Sequence, residues 1–277
     1  MFGLSYWVFP LVSAGMWLGM LLAMLITWEA EGHPHYASME SGQRIAYISD
    51  IGAQGLKPLF ITGCVITTVF LDLSFASERW LRHRGRLARN VSISEKILSG
   101  LSIAFAIAGT AGLILLSIFD TLHHPRMHDG FLVLFIGGYV ISAIFICAEY
   151  QRLGIKYRQY RVLRFSFWIK LTFIITEIAL AIAFGVCGHE SKRQAAAVLE
   201  WIIALIFTFY VLTFFIDLLP AVRTKNKAVR EAQQEMGINP AAPAPHDGQF
   251  FEPPSHNSLD SRAGLTNDGR HYRQPNF

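Results

Sequence analysis

The stretch Val198–Pro220, "VLEWIIALIFTFYVLTFFIDLLP", carries charge only at Glu200 and Asp217, one toward each end, and is otherwise apolar, aromatic or hydroxyl-bearing. A helix rises about 1.5 Å per residue, so a run of this length crosses the roughly 30 Å hydrocarbon core of a bilayer. The same test applied outward along the chain finds five more runs: Tyr6–Trp28, Leu59–Ala76, Ile97–Phe119, Gly130–Ala148 and Phe165–Val186. Hydrocarbon offers no water to bare amides, so each run is predicted to be a helix, and no barrel-type alternation competes. The fold class is therefore all-α: a polytopic six-transmembrane-helix bundle over residues 1–222. Residues 223–277, rich in Pro, Asn, Gln, Ser and charge, are expected to form a disordered cytoplasmic tail, with Ala228–Met236 extending the last helix. A composition of 52% hydrophobic against 16% charged residues excludes an ordinary soluble domain.

Lys and Arg crowd residues 77–96, 149–164 and the segment after Pro220, and are sparse in the other three loops. Cationic loops stay cytoplasmic, which places both termini there. Cations arranged in this way flank a membrane, and we expect no nucleic-acid partner. The first run lacks a basic n-region and a small-residue cleavage site, so it reads as a retained helix. Cys64, Cys147 and Cys187 have neither metal-type nor paired spacing, and no metal or other cofactor is expected. Gly15, Gly19 and Ala23 in the first run, and Gly100, Ala104, Ala108 and Gly112 in the third, repeat at i+4 and read as helix-packing seams.

Ionisable residues inside spans are costly and point to polar contacts or function. Glu177 lies near the middle of the fifth run and must face inward. Lys170, two turns earlier, is close enough to the cytoplasmic interface to snorkel. Asp72 and Asp217 lie where either can meet Lys170 or a loop arginine. A structural polar knot and a site for a lipid headgroup or ion both remain open readings.

A second group lies on the outer side, in "FDTLHHPRMHDGF" (Phe119–Phe131). Asp120, His124 and His128 repeat at the i+4 spacing that zinc sites use, but Pro125 disfavours helical geometry at His124. An ordinary polar loop is the simpler reading. If acid-base chemistry occurs, Asp50 is the natural partner of His128, since "AYISDIGAQGLKPLF" (Ala46–Phe60) sets it in a turn on the same side. Gly52 and Gly55 are expected to supply backbone freedom there, and Pro58 to start the following helix. The plainer alternative is a helix-entry turn in which Asp50 or Ser49 caps amides.

The stretches "YISDIGA", "FDTLHHPRMHDGFLVLFIGGYVISAIFICAEYQRLG" and "LEWIIALIFTFYVLTFFIDLLPA" resemble a six-span family. It joins the FGF-receptor-activating protein, the damage-regulated autophagy modulators (DRAM) and the fungal suppressor-of-four-kinase proteins, with a related branch in the N-terminal part of calcofluor-white-hypersensitive proteins. The similarity runs from about Tyr6 to Val222 and is strongest to the fungal branch. It implies a plasma-membrane protein linked to phosphoinositide 4-kinase and to lipid organisation; other branches of the family are placed in lysosome or take part in remodelling GPI-anchor lipid. Endoplasmic reticulum, Golgi, lysosome and vacuole are thus further possible locations. By motif the resemblance carries over Asp50 first, then His128, Glu177 and Glu200.

The expected function is a non-catalytic membrane protein that organises lipids or recruits a phosphoinositide kinase complex. Its lipid or headgroup contacts would be Asp50, Asp120, His124, His128, Glu177 and Glu200. Its basic, phosphoinositide-facing surface would be Arg79, Arg82, Arg84, Arg86, Arg158 and Arg161, each cation near an anionic leaflet contributing about 1 kcal/mol. The alternative is a lumenal GPI-lipid-remodelling component with Asp50 and His128 as acid and base. The topology is tested by the sequon Asn90-Val91-Ser92 and by a reporter fused after residue 277: the sequon stays unglycosylated and the reporter cytosolic, whereas a glycan at Asn90 reverses the orientation.

Overall fold

The computed structural model describes residues 6–88, 92–157 and 161–235. The described residues form seven helices and no strand: α1 (Val8–Ala30), α2 (Ile48–Gly52), α3 (Lys57–His83), α4 (Ile93–Ile118), α5 (Pro125–Lys156), α6 (Arg161–His189) and α7 (Arg193–Glu235). All except α2 contain a stretch long and apolar enough to cross a membrane, which makes the chain an integral membrane protein with six spans. By contacts the chain divides into residues 1–232 and 233–277; in the second part only 233–235 is described, as the end of α7. The helix thus runs well past the apolar run that ends at Pro220, and residues 223–235 are its end, in keeping with the expected extension over Ala228–Met236. Their composition, "RTKNKAVREAQQE", is dominated by good helix formers. The remainder of the expected tail, the sequon at Asn90 and Arg158 lie outside the described residues.

The tightest pairing is α4 against α5, antiparallel neighbours joined by the 119–124 turn. Glycine makes this possible. A Cβ on Gly138 would sit 2.6 Å from the Gly109 nitrogen, and one on Gly112 would sit 2.5 Å from the Phe135 nitrogen. The two backbones therefore touch, as they do where small residues replace the hydrophobic drive that lipid removes. Ser142 Oγ adds a 2.7 Å hydrogen bond to the Ser102 carbonyl across the same seam. The contact face of α4 is thus Ser102, Gly109 and Gly112. Of the expected Gly100–Ala104–Ala108–Gly112 row only Gly112 is buried in it, and Gly100 and Ala104 are exposed. In α1 the expected Gly15–Gly19 seam is likewise exposed, with nothing within 4 Å of an added Cβ at either. The opposite face packs instead: Met20 fills the notch at Gly63 of α3, and Ser13 Oγ bonds the Thr67 carbonyl at 2.7 Å.

Helix α7 turns a wide aromatic face inward. Phe207 meets Trp17 of α1 and Tyr139 of α5, Tyr210 meets Phe173 of α6, and Phe214 meets Phe75 of α3. Helix α6 is the peripheral wall: of its described side chains Ser166, Lys170 and Ile174 are buried and the rest are half-buried or exposed, so it leans on α5 and leaves most of its surface to lipid. A methyl added at Gly138 has backbone on its far side and cannot be accommodated by rotamer change. Gly138→Ala is expected to lower the melting temperature of the detergent-purified protein by the equivalent of about 1–3 kcal/mol. Gly100→Ala, which meets nothing, should be neutral or slightly stabilising.

Candidate functional site

Residues 40–50 are fastened to the first two turns of α7. Arg193 holds Glu40 through two bonds, Nη2–Oε1 at 2.6 Å and Nε–Oε2 at 2.8 Å. Gln194 accepts from the Ile45 amide at 3.0 Å and donates to the Gly42 carbonyl at 3.1 Å. One further heptad along the same face, Glu200 Oε2 accepts the Ile48 amide at 2.8 Å, and the Trp201 indole donates to the Ala46 carbonyl at 3.0 Å. Asp50 works from inside the loop. Its Oδ2 accepts from the Tyr47 amide and from Gln43 Nε2, both at 3.0 Å, and the side chain is buried at 2% exposure. Asp50 therefore caps the single turn of α2 and locks the loop end to end. Glycine acts there through space, not through backbone freedom: neither Gly52 nor Gly55 has a positive φ, and Gly52 is bare because the Phe60 ring lies 2.5 Å from where its Cβ would be. Pro58 starts α3 as expected from its fixed φ. Tyr47, partly buried beside Glu200 and Asp50, has its phenol pushed above its ordinary range by burial first and by those carboxylates.

The histidine-rich turn is a second fastening point. Lys57 Nζ lies 2.5 Å from Asp120 Oδ2, while Asp120 Oδ1 accepts from the His123 amide at 2.7 Å and lies 2.9 Å from its ring Nδ1. Burial opposes ionisation of Asp120, but these donors outweigh it and hold the carboxyl well below the usual carboxylate range. His128 is buried at 4% exposure and lies 3.0 Å through Nδ1 from the Leu116 and Phe119 carbonyls, so it serves the C-terminus of α4. His124 precedes Pro125 at the start of α5, exposed, with its ring edge-on to Phe119. The i+4 row Asp120–His124–His128 thus does not assemble: Asp120 turns to Lys57 and His123, His124 to the Phe119 ring, and His128 to the Leu116 and Phe119 carbonyls. Among the described residues no three His, Cys, Asp or Glu gather in metal-binding geometry. Asp50 and His128 likewise each have their own backbone partners.

Between α5, α6 and α7 lies a cleft of about 120 Å3, comparable in size to an engineered apolar cavity of about 150 Å3 that admits benzene. Its inner wall, with Trp17, Tyr139, Ala204, Phe207 and Tyr210, is buried. Its outer wall, with Ile136 and Val140 of α5 and Ala181 and Phe184 of α6, is half-buried, so the cleft faces sideways toward lipid. Ile48 and Glu200 belong to the lining, which makes the fastened loop the roof of the cleft. Glu177 also lines it, and its Oε1 is buried without a hydrogen-bond partner among the described residues. The structure brings Glu177 and Glu200 to one cavity and leaves Asp120, His124 and His128 out of it.

At the opposite end of the bundle the expected basic surface is smaller than the sequence suggests. Arg82 is 3% exposed: it bonds Glu78 at 2.6 Å, lies 3.8 Å from Glu149 and sits over the Tyr150 ring. It is removed from the surface because α3 continues to His83 and carries Glu78 one turn before it, facing α5. Arg84 is exposed on the Trp80 ring, Arg79 and Arg86 are half-buried, and the side chain of Arg161 lies outside the described residues. Lys170 does not snorkel either. It is fully buried against Asp217, with Ser166 at 3.0 Å and Thr213 at 3.3 Å, since α7 supplies an anion at its own depth. Asp72 accepts from Thr110 at 2.9 Å instead. Sequence reasoning missed Gln43, Lys57, Gln194 and Tyr150. The charge and i+4 spacing of Glu78 and Arg82 were visible, whereas the others required knowledge of which helices adjoin.

These features define a six-helix membrane protein with a roofed cleft that faces lipid. The chain matches the family model described as Frag1/DRAM/Sfk1/Cwh43P N-terminal domain over residues 5–221, and it belongs to that family. Among curated proteins it is 33% identical over 220 residues to "Protein sfk1" of Schizosaccharomyces pombe (strain 972 / ATCC 24843), covering 79% of this chain and 66% of the relative. It is 28% identical over 264 residues to "Protein SFK1" of Saccharomyces cerevisiae (strain ATCC 204508 / S288c), covering 73% of this chain and 75% of the relative. The chain thus spans about two thirds to three quarters of the length of these relatives. No solved structure matches it.

Removing the Asp50 carboxyl leaves the Tyr47 amide and Gln43 without their shared acceptor. Asp50→Ala is expected to cost about 0.5–2 kcal/mol locally and to speed hydrogen exchange across residues 43–50, while amides of the α4–α5 seam keep their protection. Unchanged exchange in the loop would show that α7 alone holds it.

Proposed function

We propose that this protein organises membrane lipids without catalysis, by holding a lipid chain in the cleft between α5, α6 and α7. The observation that carries the reading is the cleft itself, apolar, open on its lipid side and roofed at one end. Binding sites for small amphiphiles are concave and mostly apolar with a few placed polar groups, and this one has Glu177 and Glu200. The termini face the cytoplasm in this reading, at the plasma membrane. The non-catalytic form is favoured over lumenal lipid remodelling because Asp50 and His128 are buried and occupied by neighbouring backbone and side-chain groups, which leaves neither of them open to a substrate. Kinase recruitment, the second part of the reading, rests on the remaining arginines beside Trp80, with Arg84 outermost.

The cleft is tested by filling it. Ala181 lines its outer wall and is half-buried, so Ala181→Trp can occupy the space without displacing the core. Native mass spectrometry of the protein released from membranes should show co-purifying lipid on the wild type, reduced severalfold in the variant. Equal retention in both would overturn the reading.

A further inference from the structure

We propose that the cleft selects its lipid by head chemistry: it takes an uncharged or cationic amphiphile whose headgroup donates a hydrogen bond to the Glu177 carboxyl, and it rejects phosphorylated headgroups. This rests on the lipid-holding reading above and adds the class of lipid held.

The acidic groups that line the cleft are Glu177 and Glu200, and among the described residues no Lys, Arg or His belongs to its walls. Glu200 is already engaged, because it accepts the amides of the roof at Ile48 and Ser49. Two of the three donor side chains in the wall are engaged, the Trp17 indole with the Ala204 carbonyl at 2.8 Å and the Tyr139 hydroxyl with Thr110 at 2.8 Å; Tyr210 is the third. Lys170, two turns before Glu177 on α6, is consumed by Asp217, Ser166 and Thr213 and has no exposure. Glu177 Oε1 is therefore an accepting atom, desolvated and unmatched among the described residues. A buried acceptor left without a donor is costly, and a ligand that supplies the donor recovers that cost.

The sign of the selection follows from the same inventory. A phosphate brought to this depth would be an anion taken out of water with no lining cation to answer it, and in a low-dielectric setting that cost is large. A hydroxyl or an amine brings a donor instead. Both are also small, which suits a head drawn below the interface to the middle of α6. The apolar walls then take the chain, which enters past Ile136, Val140, Ala181 and Phe184.

The test uses one acyl chain with four heads, titrated onto the full chain in nanodiscs and read by native mass spectrometry: mono-oleoylglycerol, oleylamine, methyl oleate and oleoyl lysophosphatidic acid. Mono-oleoylglycerol and oleylamine should bind about tenfold tighter than methyl oleate, the value of one hydrogen bond to a buried carboxyl. Lysophosphatidic acid should bind no tighter than methyl oleate. Glu177→Leu should bring the two donor lipids to the methyl oleate level. Glu177→Gln, which keeps an accepting carbonyl, should hold mono-oleoylglycerol within about threefold of wild type and lose more for oleylamine. Equal binding of all four lipids, or tighter binding of the phosphate, overturns head selection and leaves the lipid-holding reading intact. Absence of binding by any of the four overturns both. The wild-type ranking decides the matter by itself where the Leu variant does not fold.

Discussion

A charged side chain placed in hydrocarbon must be answered by another group of the same protein, and this requirement organises the bundle. Three answers are built in at depth. Lys170 of α6 meets Asp217 of α7, Arg82 of α3 meets Glu78 of its own helix and Glu149 of α5, and Asp72 of α3 meets Thr110 of α4. Tyr150 links the first two, with its hydroxyl 2.5 Å from Glu78 and its ring within reach of both cations. These contacts fix which helices adjoin and at what register, a task that apolar faces alone do poorly when lipid is as good a solvent as another helix. Glu177 differs in that its buried Oε1 has no hydrogen-bond partner among the described residues while it lines the cleft; Asp72 Oδ1 is likewise unpartnered among them, but its Oδ2 is held by Thr110.

The outer cap of the cleft is built by the same economy of polar groups. Arg193, Gln194, Glu200 and Trp201 lie on one face of α7 and engage the backbone or side chains of residues 40–48. The stretch "YISDIGA" and the Glu-Trp pair that opens the last span, two of the places where the chain resembles its family, are therefore partners in space. A loop without regular structure satisfies its amides on a helix, and the helix gains a roof that closes one end of an otherwise open groove.

The six spans were legible because their signal is length and apolarity, properties that a single run carries by itself. What failed were statements about faces. The i+4 glycines at Gly15–Gly19 and Gly100 looked like seams, yet the seam uses Gly109, Gly112 and Gly138, because contact depends on how helices are rotated against each other and spacing alone does not encode rotation. For Lys170 the sequence offers both snorkelling and a meeting with Asp72 or Asp217, and the structure takes the pairing with Asp217 on the neighbouring helix. Asp50 reads from the sequence as a helix-entry cap or a site; in the structure it accepts from the Tyr47 amide and from Gln43, seven residues upstream, a partner that spacing does not announce. Glu177 was visible as an oddity, and only the cleft shows that the protein leaves it unmatched.

Arg82 illustrates how a cation can mislead when read along the chain. It sits in a run of arginines that looks like one continuous patch, but it is folded beneath Tyr150 between two carboxylates. Reversing its charge would strand Glu78 and Glu149 in an apolar interior, a loss of the order of 3–5 kcal/mol. A null phenotype at this position would therefore report misassembly and clearance of the polypeptide, while its neighbour Arg84, exposed on the Trp80 ring, can be changed without touching the buried network.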